Sequence, residues 1–148
     1  MQAKAVICDE QQNFTYADVV LPEPGPQHIV VRPRYSGISI GTEFALIRNK
    51  ISWGPYPLCT GYMAVGTVEY AGKDVSNFQI GDKVYYRDNK IIQLAGGEKV
   101  SAVTGTHCSL ALIDPNNTLQ QLATLAGADV VDPLIENWSS LPPAIRGG

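Results

Sequence analysis

The stretch LCTGYMAVGTVEYAG, residues 58–72, sets a phenol and a thioether, Tyr62 and Met63, directly after a glycine and at the entrance of an alternating strand. A phenol O–H aimed at an oxygen that gains negative charge can stabilise that charge. The same pair could equally fill a packing corner, with the phenol partnered elsewhere. Upstream, GTEFALIRN places Thr42 and Glu43 at the start of a short helix. Thr42 is positioned to cap that helix with its oxygen. Glu43 can charge the helix start or pair with Arg48. Between these pieces, Trp53, Tyr56 and Leu58 sit on a loop that could line an apolar pocket or simply be pinned to the core. His107 follows a turn at the start of a strand and reads as a satisfied surface histidine rather than a proton shuttle. Cys8, Cys59, Cys108, His28 and His107 never approach metal-ligand spacing.

Glycine and proline cut the chain into short, strand-like pieces that must position these residues. AKAVIC and NFTYADVV read as strands, and PEPGPQHIVVRPRYSG as a turn followed by a strand with Val31 and Tyr35 on one face. AVGTVEYAG and KVYYRD follow. Residues 87–106 read as a hairpin turning at Gly96-Gly97. HCSLALI alternates, with Leu110 and Leu112 on one face. TLQQLATLAG carries an apolar stripe of helical period, closed by Gly127, and predicts a second helix. The fold class is mainly β with two or more short helices, arranged as a barrel or sandwich.

At 148 residues the chain holds one domain, with a core that needs neither disulfide nor metal. A net charge of −3 without a basic cluster argues against nucleic acid or an anionic membrane as partner. The apolar runs are too short to span a bilayer, and MQAKAVICD reads as a strand, without the apolar core of a signal peptide. Three separated cysteines suit reduced thiols, and a cytoplasmic location is the expectation.

Four pieces taken together resemble a known family: LPEPGPQHIVVRPRYSGIS, GTEFALIRN, GYMAVGTVEYAGKDVSNFQIGDKV and GTHCSLALI. In this order they resemble the N-terminal, GroES-like catalytic domain of the medium-chain dehydrogenase/reductase family. The glycine pattern Gly61, Gly66, Gly72 and Gly81-Asp82 matches it turn for turn. The resemblance covers about residues 1–135 and implies a GroES-like, partly open β-barrel acting as substrate domain. Residues 136–148, with two prolines and a Gly-Gly end, read as a linker-like tail.

Zinc-dependent members of that family hold their metal with a cysteine, a histidine and a third ligand. Here Ile40 falls on the cysteine position, or Ser39 if the gap is moved, and Tyr62 replaces the histidine with Met63 beside it. Asp132 lies near a family carboxylate that can ligate zinc, and reads here as a cap or turn residue. The four-cysteine structural lobe of many members is missing too. No zinc is expected. The resemblance implies that Thr42 contacts substrate or the nicotinamide ribose, and that Tyr62 faces the substrate cleft with Ile40, Glu43, Trp53, Tyr56 and Met63 around it.

Family members bind NAD or NADP mainly through a second, Rossmann domain, where the diphosphate sits on a glycine-rich turn. No GxGxxG occurs in these residues. Two expectations follow. In the first, the chain is the substrate domain of a zinc-independent NAD(P)-dependent oxidoreductase acting on a small carbonyl or alcohol, inactive until a Rossmann domain of the same polypeptide joins it. In the second, it is a stand-alone GroES-like binding module without catalysis. An exposed apolar docking face, prone to homo-oligomer formation in the isolated chain, fits the first; a polar one fits the second.

Overall fold

Strand-forming sequence dominates, and the structure follows it. The computed structural model describes residues 1–48, 54–89, 91–102, 104–116 and 122–124. The elements run β1 (Gln2–Cys8), β2 (Phe14–Val20), β3 (Ile29–Gly37), α1 (Ile40–Ile47), β4 (Leu58–Cys59), β5 (Met63–Ala71), β6 (Lys83–Tyr86), β7 (Ile92–Leu94), β8 (Lys99–Ala102), β9 (Ala111–Ile113) and β10 (Leu122–Thr124). β1 and β2 pair antiparallel along their whole length, from Gln2 opposite Val20 to Cys8 opposite Phe14. The Asp9–Asn13 turn between them is tied by the Asn13 N–H donating to the Asp9 carboxylate at 2.8 Å.

Two sheets result. One is a closed barrel in the order β1-β2-β7-β8-β4, where the two-residue β4 completes the circle by pairing with both β1 and β8. The other is a five-stranded sheet, β10-β6-β5-β3-β9. Side chains alternate across a strand, and β3 and β9 use this to serve two cores. Val30, Leu110 and Leu112 enter the barrel core with Ala5, Ile7, Val19, Ile92 and Val100. Ile29, Val31, Ala111 and Ile113 enter a second core with Ala64, Val68, Val84 and Tyr86. Each such aliphatic burial contributes about 1.5–3 kcal/mol, so the two cores lock the barrel to the sheet. Leu110 and Leu112 do share a face, as the alternation predicts.

The structure departs from the sequence reading at two elements. Val31 and Tyr35 do not share an environment: Val31 is buried and Tyr35 is exposed. The pairing of β3 with β5 shifts register between Pro33 and Tyr35. Proline has no N–H for the ladder, and the resulting bulge turns the strand end outward. The second helix does not form where it is described. Leu122–Thr124 is a strand, pairing antiparallel with β6 from Leu122 opposite Tyr86 to Thr124 opposite Val84. The unpaired edge of β6 supplies backbone partners that outweigh a modest helical propensity. The rest of that expected helix, and the tail 136–148, lie outside the described residues. The hairpin at Gly96-Gly97 forms as read, with Gly97 at φ 91°.

Gly72 shows why the family glycine spacing exists. A Cβ there would stand 2.1 Å from the Pro26 carbonyl oxygen, whereas at Gly41, on the exposed face of α1, it would meet nothing within 4 Å. Gly72→Ala is expected to cost about 3 kcal/mol or more by forcing two backbone segments apart. Gly41→Ala is expected to add about 0.5–1 kcal/mol, since alanine is the better helix former. Urea titrations of the two variants against the parent check both signs. In the second core, Tyr86 is wholly buried and its hydroxyl has no hydrogen-bond partner among the described residues. An unpaired buried hydroxyl is a cost, so Tyr86→Phe is expected to raise stability by about 1 kcal/mol. A fall in stability would reveal a partner for the phenol.

Candidate active site

The end of β3 runs through Ser36, Gly37, Ile38 and Ser39 into α1. The helix opens one turn earlier than Thr42 as its cap would require. The Ser39 carbonyl already accepts the Glu43 N–H at 2.8 Å, and Thr42 is the third helical residue. Glu43 is the reason. Its Oε1 accepts the otherwise free N–H of Ser39 at 3.2 Å, one position later than the usual reciprocal cap. The cap is therefore Ser39 with Glu43.

The other oxygen of Glu43 reaches across to the β4–β5 connection. Oε2 accepts the Gly61 N–H at 3.2 Å and lies 3.4 Å from His107 Nε2. Glu43 is buried, 5% exposed. It charges the helix start, as one reading had it, but its partner is His107 rather than Arg48. The Arg48 guanidinium lies instead over the Phe44 ring, 5.2 Å from its centroid.

His107 is not a surface residue. Its backbone is held on both sides, donating from N to the Thr60 carbonyl at 3.0 Å and accepting the Val6 N–H at 2.8 Å. Its Nδ1 is 2.7 Å from Ser36 Oγ. Gly61 makes this approach feasible: at φ 107° its Cβ would stand 2.3 Å from His107 N. Thr104 Oγ1 donates to the Gly61 carbonyl. Thr106 Oγ1 donates to Met63 O at 3.1 Å. The strap 104–107 thus grips the Gly61–Met63 turn from behind. Buried Asn89 holds the strap in turn, donating to Gly105 O and Leu110 O and accepting from Leu112 N.

On its front, the same turn meets the end of β3. The Tyr62 N–H donates to Gly37 O at 3.2 Å, and Met63 pairs with Gly37. Tyr62 and Met63 are half-buried. The Tyr62 ring lies under the Arg87 guanidinium, whose Cζ is 3.7 Å from the ring centroid. Beside this edge, Ile38 and Ile40 are 69% and 71% exposed, and Phe44 is about half exposed. Tyr62, Met63 and the first turn of α1, with Ile40, Thr42 and Glu43, are therefore gathered at one end of the sheet.

The loop residues separate. The Tyr56 phenol donates to the Ile47 carbonyl at 2.7 Å, which pins the loop to the end of α1. Leu58 is buried in β4 and lines no cleft. Trp53 and Asp132 lie outside the described residues. The Ser36–His107 contact escaped the sequence reading because it joins residues far apart in the chain, and only the strap's Thr-Gly-Thr-His run hints at it.

No thiolate, imidazole or carboxylate stands at Ile40 or Tyr62, the positions where zinc-dependent relatives carry ligands. Among the described residues no three His, Cys, Asp or Glu side chains converge. Cys8, Cys59 and Cys108 are free and buried. Burial pushes all three thiols up, which disfavours the thiolate that binds metals or attacks carbon. The site's chemical resources are a phenol under a cation, a helix-start hydroxyl, and a serine–imidazole–carboxylate chain.

Comparison with known proteins places this geometry. Residues 25–128 match the alcohol dehydrogenase GroES-like domain. The chain is 38% identical over 88 residues to 2-desacetyl-2-hydroxyethyl bacteriochlorophyllide A dehydrogenase of Cereibacter sphaeroides, covering 57% of this chain and 27% of that one. It is 35% identical over 71 residues to probable cinnamyl alcohol dehydrogenase 1 of Nicotiana tabacum, covering 48% and 19%. It therefore spans about a quarter or less of these relatives' lengths. Among solved structures, an alcohol dehydrogenase zinc-binding domain protein from Burkholderia ambifaria superposes with a TM-score of 0.68 at 17% identity, over 81% of this chain and 42% of that one. A Helicobacter pylori CAD complexed with NADP(H) gives 0.64 at 19% identity, over 78% and 40%. The chain belongs to the alcohol dehydrogenase GroES-like domain family.

Proposed function

We propose that these residues form the substrate half of a zinc-independent, NAD(P)-dependent oxidoreductase that interconverts a small alcohol and its carbonyl. The observation that carries this reading is the joining of α1's first turn to the Gly61–Met63 turn by Glu43. It holds Thr42, Ile40, Tyr62 and Met63 at one edge of the sheet. The relatives' names, a hydroxyethyl and a cinnamyl alcohol dehydrogenase, support an alcohol–carbonyl pair as substrate class.

The nicotinamide, bound mainly by a Rossmann domain of the same polypeptide, would supply or accept the hydride. Tyr62 donates its phenol to the substrate oxygen as charge grows there. Arg87 draws electron density from the ring face and strengthens that donor. Thr42 contacts the substrate or the nicotinamide ribose. Ile40 and Met63 give the substrate an apolar wall, and Glu43 fixes the turn that carries Tyr62. Zinc independence rests on the residues present, since Ile40 and Tyr62 are poor ligands and the Arg87 cation over Tyr62 repels a divalent ion. The exposed strip of Ile38, Ile40 and Phe44 supports docking of the second domain over a stand-alone binding module. Closure of that domain would keep water from the reacting centre, and in the isolated chain the strip would promote self-association. Three buried free thiols support a cytoplasmic location. Among the described residues no helix is long and apolar enough to cross a membrane.

In the full-length enzyme, Tyr62→Phe is expected to lower kcat by well over tenfold with little change in KM, and an unchanged kcat would assign the phenol to packing. Dialysis of this chain against a chelator is expected to leave Tm unchanged, and a marked fall would reveal a structural metal.

A further inference from the structure

A second constellation shares Glu43 with the proposed substrate edge, but its other members, Ser36 and His107, have no part in the alcohol–carbonyl reading. Ser36 Oγ, His107 Nδ1 and Nε2, and Glu43 Oε2 form a continuous chain, with separations of 2.7 Å and 3.4 Å. Its members change steadily in burial. Glu43 is buried, the His107 side chain is 13% exposed, and Ser36 is open to solvent. Ser36 and His107 both line a depression of about 230 Å³, together with Tyr16, Pro33, Arg34 and Ser109.

From this geometry we infer that Ser36 is an activated nucleophile, with His107 as its general base and Glu43 as the residue that orients the base. With the ring proton on Nε2, 3.4 Å from the Glu43 carboxylate, Nδ1 is left as the acceptor for the serine proton. Which ring nitrogen faces the serine is the reverse of the familiar triad, but the triad is defined by roles and geometry. Two features make the imidazole well placed. Its backbone is hydrogen-bonded on both sides, and Glu43 is fixed by two backbone N–H donors. The positive charge that forms on His107 is met by a carboxylate with little solvent to screen it.

Ser36 and His107 open onto a shallow surface depression, which admits an ester with a short acyl group without enclosing it. Ser36 Oγ bonds to the ester carbonyl carbon while its proton passes to His107 Nδ1. The carbon–oxygen ester bond then breaks, and the leaving oxygen takes that proton. Water enters by the same route: its oxygen joins the acyl carbon, one of its protons passes to His107, the bond from the acyl carbon to Ser36 Oγ breaks, Oγ takes the proton from His107, and the acid is released.

The test needs no nicotinamide, so it is independent of the oxidoreductase reading. The 148-residue chain is incubated with p-nitrophenyl acetate, nitrophenolate release is followed, and acetylated peptides are mapped. Release with acetyl on Ser36 is the expected result. Ser36→Ala should abolish the release above background, and His107→Gln should slow it about a hundredfold, the usual scale of a general base. Release undiminished in Ser36→Ala, or acetyl on lysines alone, would overturn the proposal. Ser36→Cys serves as a second variant should His107→Gln not fold. Its thiol should react with iodoacetamide at neutral pH faster than free cysteine, because the imidazole favours the thiolate. A rate equal to or below that of free cysteine would refute it.

Discussion

A buried carboxylate organises this end of the molecule. Taking a carboxylate out of water costs several kcal/mol unless its lone pairs are matched. Glu43 accepts the Ser39 and Gly61 N–H groups, and His107 Nε2 lies 3.4 Å away. These three groups belong to the entrance of α1, the turn before β5 and the strap before β9. None of the three segments is a regular element that could fix its own position. Charge-assisted hydrogen bonds contribute about 1.5–3 kcal/mol each, so Glu43 couples the segments with an energy that rivals a buried aliphatic side chain. The edge that presents Tyr62 and Thr42 exists because this one side chain is satisfied there.

The coupling works only because what lies behind it is stiff. β3 and β9 each send alternate side chains into two cores, so neither can slide without disturbing both. Asn89 then transmits the position of β9 to the strap through its contacts with Gly105, Leu110 and Leu112. A displacement of the strap would move Gly61 and His107 together. Sheet, strap and carboxylate act in series, and the cleft residues sit at the end of that series.

The sequence is most legible where one local pattern decides the outcome. Alternation identified β5 and β9, and Gly96-Gly97 announced its hairpin. The glycine spacing led to the family, because Gly61 and Gly72 mark backbone approaches that no other residue allows. Local pattern fails where a distant partner decides. Leu122–Thr124 carries a helical stripe and yet pairs with β6, whose free edge lies far back in the chain. Thr42 looks like a cap, but the cap depends on a carboxylate whose second oxygen is engaged elsewhere. His107 looks like a surface residue because Ser36 and Glu43, its two partners, precede it by most of the domain.

On the proposed reading, in which the Tyr62 phenol serves in place of a metal, the scaffold must supply something different. A Lewis acid acts through a full charge, whereas a phenol acts through one hydrogen bond whose direction matters. A directional donor needs a more rigid mount. Tyr62 has one: its backbone bonds to Gly37, its ring is stacked beneath Arg87, and its neighbour Gly61 is held by Glu43 and Thr104. Glu43 belongs to the helix start, accepts the Gly61 N–H and lies beside the ring of His107. It is thereby part of the mount that keeps the turn in place.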